Sequence, residues 1–178
     1  MNFEIVESRT LGSGRIVDLC DVTVRAPDGE TAHRDVVRHP GGVAVLPIVD
    51  GEALLLHQYR VAVGEKIFEI PAGKIDDTDD SPQTAAEREM VEEMGLRPVR
   101  LVDLGPFLPS PGYTDEWIHL FVAVGVGAAR RDPDGIEERY AEIVSMPFLE
   151  LVERVDRGEI PDAKTQIAVY RWLRRGNG

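Results

Sequence analysis

Hydrophobic and polar positions change period several times along the chain. In residues 3–38 they alternate two by two. FEIVES, RIVDLCDVTVRA and TAHRDVVRH read as antiparallel strands, the last two joined by the turn Pro27-Asp28-Gly29. Few large apolar side chains fall in this stretch, so it must pack on the main domain or on another copy of the chain. Pro40-Gly41-Gly42 marks a boundary, and VAVLPIV (43–49) is then almost continuously apolar, as in a strand covered on both faces. Asp50-Gly51 predicts a hairpin into ALLLHQYR, and FEIPAG (68–73) a further extended run. Residues 82–94 follow a helical period, with Ser81 as cap, Pro82 at the first helical position and Gly95 just past the end. PVRLVDLGPFLPS and SPGYTDEWIHLFVAVGV predict strands flanking a loop, AARRDPDGIEERY a second loop, and AEIVSM a strand. PFLELVERVDRG reads as an amphipathic helix ending at Gly158, and DAKTQIAVYRWLRRG as a C-terminal helix starting at Asp162 with basic residues in its last turn. Buried strands interspersed with three helical segments argue an α/β class.

A chain of 178 residues suits one domain with a small appended segment, and 43% hydrophobic with 29% charged residues is the composition of a soluble globular protein. No apolar run is long enough for a bilayer span, and the charged start MNFEIVESRT does not read as a signal peptide. Cys20 is the single cysteine, so an internal disulfide is excluded and a reducing cytoplasm is expected; its apolar alternating setting reads as a buried structural thiol. A net charge of −12 argues against a nucleic-acid surface, though not against a phosphorylated substrate neutralised locally. His33, His39, His57 and His119 have no zinc-ligand spacing, and no glycine-rich phosphate loop is present.

The candidate chemistry lies on the 82–94 helix. Glu89, Glu92 and Glu93 fall within an arc of about 100°, and Met90, Val91 and Met94 occupy the opposite arc. The helix is expected to bury the apolar side and present the carboxylates, with Arg88 pairing with Glu92 four residues on. EREMVEE alone is also the pattern of an acidic solvent face. Clustered carboxylates repel one another, and a hard cation such as Mg²⁺, which prefers oxygen ligands, relieves that repulsion.

From Gly73 through Arg88, Glu89, Met90, Glu92, Glu93, Gly95 and Leu96 the chain resembles the Nudix box, G-x5-E-x7-R-E-U-x-E-E-x-G-U with U apolar. It departs in two ways: Asp79 or Asp80 stands for the first Glu, and the loop is one residue longer. The run Ser110-Pro111-Gly112-Tyr113-Thr114-Asp115-Glu116 and the Gln58-Tyr59-Arg60 triplet resemble the ADP-ribose pyrophosphatase subgroup. The resemblance implies a Nudix-type α/β/α sandwich with a mixed sheet over residues 41–178. The N-terminal antiparallel segment, 1–40, is then a dimerisation element of a homodimer.

It also implies Mg²⁺ or Mn²⁺ held by Glu89 and Glu93 with Glu92 and the Ala72 carbonyl, and it counts Glu92 and Arg88 among the catalytic residues. Arg60 would contact substrate phosphate, and Pro111, Gly112, Tyr113 and Glu116 would form a substrate loop. Glu69, flanked by Phe68 and Ile70, is expected to face the cleft. Arg34 and Arg38 share one strand face, fitting either a solvated edge or an anion site. Glu137 or Glu138, on a loop, is the implied general base. The implied reaction is hydrolysis of a nucleoside diphosphate sugar, ADP-ribose foremost. The alternatives are another nucleotide sugar such as GDP-mannose, or a non-catalytic sensor of such metabolites.

Overall fold

Alternation in the first forty residues produces three antiparallel strands, β1 (Glu4–Ser13), β2 (Asp18–Arg25) and β3 (Thr31–Arg38), in the order β1-β2-β3. The computed structural model describes residues 2–133 and 135–176. Period two puts Cys20 and Val22 on one face of β2, and both are buried. β1 is exposed along its whole length, Ile5 and Leu11 included, as expected of a segment short of core residues. The 110–116 run, expected as a loop, lies along β3. The Val37 N–H donates to the Tyr113 carbonyl (2.8 Å) and the Asp115 N–H to the Val37 carbonyl (3.3 Å). These strands and Leu108–Trp117 form one compact unit; Gly42–Phe107 and the chain from Ile118 onward form a second.

In the second unit follow β4 (Gly42–Val49), β5 (Glu52–Arg60), β6 (Glu65–Glu69), β7 (Ala72–Lys74), α1 (Pro82–Met94), β8 (Leu96–Phe107), β9 (Ile118–Ala128), α2 (Ile136–Arg139), β10 (Glu142–Pro147), α3 (Phe148–Asp156) and α4 (Ala163–Leu173). Among the described residues the sheet runs β10-β5-β4-β9-β8, with β6 paired to β5 and β7 to β4. β4 and β9 are parallel and the other pairs antiparallel, so the sheet is mixed.

The unbroken apolar run of β4 is explained by helices on both faces. Val43 and Val45 meet Ala85, Ala86 and Met90 of α1, together with Phe121 and Ala123 of β9. Ala44 and Leu46 belong to the opposite layer with Leu120, Val122, Leu151 of α3 and Val169 of α4. Each fully buried large side chain here, such as Leu46 or Met90, contributes about 1.5–3 kcal/mol. α1 begins as expected: the Ser81 hydroxyl accepts from the Thr84 N–H (3.2 Å) and the Thr84 hydroxyl from the Ser81 N–H (2.9 Å). It ends at Gly95, whose φ of 67° suits a residue without a Cβ. The loop expected over 128–140 contains one helical turn, α2, which carries Glu137 and Glu138.

Candidate active site

The buried face of α1 is rotated from the one its apolar residues suggest. Ala85, Ala86, Glu89, Met90, Glu93 and Met94 are buried, whereas Val91 is half-exposed. Glu89 and Glu93 are therefore enclosed, because β7 lies against them. The Ala72 N–H donates to Glu93 Oε2 at 2.9 Å. Gly73 lies so close to Glu89 that any Cβ at that position would collide with its carboxylate. Burial raises both carboxyls, Glu89 to about 7 and Glu93 to about 8, despite Arg88 on Glu89 and the Ala72 N–H on Glu93. Neighbouring negative charge, including that of Glu138, raises them further. Two buried carboxylates one turn apart call for a cation or for protons.

Arg88 organises the rim of this site. Its Nε and Nη2 donate to Asp79 (3.2 and 2.8 Å), Nη2 also to the Lys74 carbonyl (3.0 Å), and Nη1 to Glu89 (2.7 Å) and Glu92 (2.9 Å). A guanidinium has five N–H groups, and all are engaged within the chain. Arg88 is thus a clamp between the box loop and the helix. Of the two aspartates that the sequence offers for the first box glutamate, Asp79 is the one that meets Arg88. Its side chain is almost fully buried, and it also accepts from the Asp76 N–H (2.9 Å).

Glu69, expected to face the cleft, is instead wholly buried, and three other side chains use its carboxylate. Arg60 Nε and Nη2 bind its two oxygens at 2.7 and 2.9 Å, Gln58 donates at 2.9 Å, and Lys164 stands at 3.3 Å. Burying an ionised carboxylate is costly unless donors and cations compensate it, which these do. The result is a fixed Arg60, whose Nη1 makes no hydrogen bond among the described residues. Its charge is near enough to Glu93 for each to influence the other.

Lys164 comes from the first turn of α4. Asp162 holds it at 2.6 Å and caps the helix by accepting from the Thr165 N–H (2.9 Å). Sequence reasoning named Gln58 only within a triplet and Asp162 only as a helix start, gave Lys164 no role, and missed the network they form. No spacing signal joins β5 to a helix about a hundred residues later; only the capping pattern at Asp162 is local.

The α2 turn separates its two glutamates. Glu138 accepts from the Gly135 N–H (2.9 Å) and influences Glu89 and Glu93. Glu137 lines an apolar hollow with Tyr59, Val61, Lys66, Ile136 and Tyr140. The remaining expected residues belong to the N-terminal unit. Arg38 donates to Asp115 (2.9 Å), Glu116 lies 3.7 Å from His39, Arg34 is exposed, and Pro111, Gly112 and Tyr113 form an exposed turn.

Among the described residues no three acidic, histidine or cysteine side chains are gathered as a complete cation cage. Glu89 and Glu93 nonetheless offer only oxygen, as hard cations prefer, and Mg²⁺ ordinarily completes its shell with water and substrate phosphate.

The chain matches the NUDIX domain over residues 38–173. It is 36% identical to the methanol dehydrogenase activator of Bacillus methanolicus over 165 residues, 92% of this chain and 89% of that one. It is 34% identical to the ADP-ribose pyrophosphatase of Bacillus subtilis over 158 residues, 88% and 85% of the two chains. A solved structure described as an ADP compounds hydrolase superposes with a TM-score of 0.86 at 21% identity, covering 100% of this chain and 98% of that one; at this identity it bears on the fold alone. Buried glutamates on a capped helix, an arginine clamp and a mixed sheet between helices accord with these matches, and the chain belongs to the Nudix family.

Proposed function

We propose that this protein is a divalent-metal-dependent pyrophosphatase of nucleoside diphosphate sugars, with ADP-ribose as substrate and AMP and ribose 5-phosphate as products. The observation that carries the reading is the pair Glu89 and Glu93, buried one turn apart with an anchored Arg60 nearby. Glu89 and Glu93, with Glu92 and the Ala72 carbonyl assisting, would hold a Mg²⁺ or Mn²⁺ ion, which would supply the positive charge a pyrophosphate needs and lower the pKa of bound water. Arg60, fixed on its inner edge by Glu69, offers its Nη1 donors to a phosphate oxygen. Glu138 takes the proton as the water oxygen bonds to phosphorus and the bridging P–O bond breaks. Its electrostatic influence on Glu89 and Glu93, set against the place of Glu137 in an apolar hollow, favours Glu138 as the base.

The exposed apolar residues Phe3, Ile5, Val6 and Leu11 of the N-terminal segment support a homodimer formed through it. Arg34, Arg38, Pro111, Gly112, Tyr113 and Glu116 would then complete the partner's site. Light scattering that gives a fully active monomer at micromolar concentration would refute the dimer. The buried thiol of Cys20 supports a reducing, cytoplasmic setting, and no helix among the described residues is long and apolar enough to cross a membrane. The reaction is tested by a panel of ADP- and GDP-sugars with Mg²⁺, scored for released nucleotide. AMP from ADP-ribose at the highest kcat/KM is expected; preferred cleavage of GDP-mannose, or binding without turnover, would replace this reading.

A further inference from the structure

The chain between β9 and α2 crosses the last turn of α1, where helix carbonyls lack intrahelical partners. The Ala129 N–H donates to the Gly95 carbonyl (2.7 Å) and the Asp132 N–H to the Glu92 carbonyl (3.2 Å). Between them stands Arg131, half-buried. Its Nε donates to the Glu93 carbonyl at 2.5 Å; its Nη2 donates to the Glu138 carbonyl at 2.6 Å and reaches the Ala141 carbonyl at 3.5 Å. One planar guanidinium thus joins the backbone of the residue bearing a buried box carboxylate to the backbone of the residue bearing the proposed base. The absence of a Cβ at Gly95 admits it, since a Cβ there would lie 3.1 Å from that of Arg131. Among the described residues no carboxylate pairs with Arg131, so its charge is applied to carbonyl oxygens at the negative end of the helix dipole.

We infer that Arg131 is a positioning residue for hydrolysis, setting the Glu138 carboxylate relative to Glu89 and Glu93 by tying the α2 turn to the end of the metal-binding helix. The inference rests on Glu138 being the base. α2 is a single turn with no buried side chain, so it brings little packing of its own to hold Glu138 in place. Arg131 supplies a bridge whose length is fixed by a rigid planar group. A lysine can keep the cation but cannot span both carbonyls in one plane.

The test uses the full chain with saturating Mg²⁺ and ADP-ribose, and compares Arg131→Gln, Arg131→Lys, Glu138→Gln and the double variant Arg131→Gln/Glu138→Gln. Arg131→Gln is expected to lower kcat by about tenfold to 10²-fold, the scale of a misplaced catalytic group, with KM and the Mg²⁺ half-saturation nearly unchanged. Arg131→Lys, which retains the helix-terminal cation, should fold normally and give an intermediate kcat. The double variant should be no slower than Glu138→Gln alone, because a residue that acts through Glu138 has nothing left to position. Amide exchange over residues 135–141 should quicken in both Arg131 variants while that of α1 stays slow. Unchanged kcat in Arg131→Lys and Arg131→Gln, or losses that multiply in the double variant, would overturn the positioning role and leave Glu138 as base. Full activity in Glu138→Gln would remove the base assignment and the positioning role with it.

Discussion

The Ala72 N–H donates to Glu93 Oε2 at 2.9 Å, so the strand entering the box loop grips the last carboxylate of the box helix. This single bond joins residues on separate elements and holds Glu93 in a place where burial alone would drive it to protonate. Glu93→Gln keeps the shape and removes the charge where transition-state charge develops. Turnover should fall at least ~10²-fold, and the rise in Tm that Mg²⁺ gives the parent should shrink. Full turnover in this variant would remove Glu93 from the proposed metal site.

Gly73→Ala should be more damaging than its size suggests. The added methyl collides with the Glu89 carboxylate, which is itself gripped by Arg88 and cannot simply withdraw. Loss of activity with weakened Mg²⁺ dependence is expected, together with a stability loss of about 1–3 kcal/mol. An alanine variant with parental kcat and Mg²⁺ half-saturation would show that Glu89 need not occupy this position.

The Glu69 network predicts a division between stability and substrate binding. Glu69→Gln leaves Arg60 and Lys164 with no carboxylate between them, and denaturant unfolding should show a cost of about 3 kcal/mol. Arg60→Lys keeps a cation beside Glu69 but gives up the Nη1 donors proposed for the phosphate. Its KM for ADP-ribose should rise several-fold with a smaller change in kcat, as expected where ground-state phosphate binding is lost. An Arg60→Lys enzyme with unchanged KM would separate Arg60 from substrate binding.

Asp79 gives a pH signature. The hydrogen bonds from Arg88 hold its carboxyl below the usual 3.8. A depressed carboxyl stabilises the fold above its unfolded pKa, and that contribution disappears as pH falls through the folded value. Asp79→Asn should therefore cost about 2 kcal/mol at neutral pH, and the gap to the parent should close below about pH 3.8. A gap that persists into acid would mean that the loop is held by packing and not by the charged pair.

The local elements were legible in the chain. Ser81, Pro82 and Gly95 delimit α1, alternation delimits the N-terminal strands, and the unbroken run 43–49 announces a strand buried on both faces. These depend on neighbours within a few residues, which the sequence presents directly. The box pattern likewise brought Arg88, Glu89, Glu92 and Glu93 to one helix.

Tertiary structure decided which face of that helix is enclosed, because the answer depends on β7 and the absence of a side chain at Gly73. It chose Asp79 over Asp80, since only the folded loop brings one of them to Arg88. It turned Glu69 inward, because Lys164 arrives from α4, and it brought Arg131 to the end of α1. Apart from the Asp79–Arg88 bond, which lies within the box, each of these is a contact between residues well separated in the chain, where no periodicity connects the partners. The energy that fixes them is the cost of leaving a buried charge or carbonyl without a partner, and that cost exists only once the chain has closed around it.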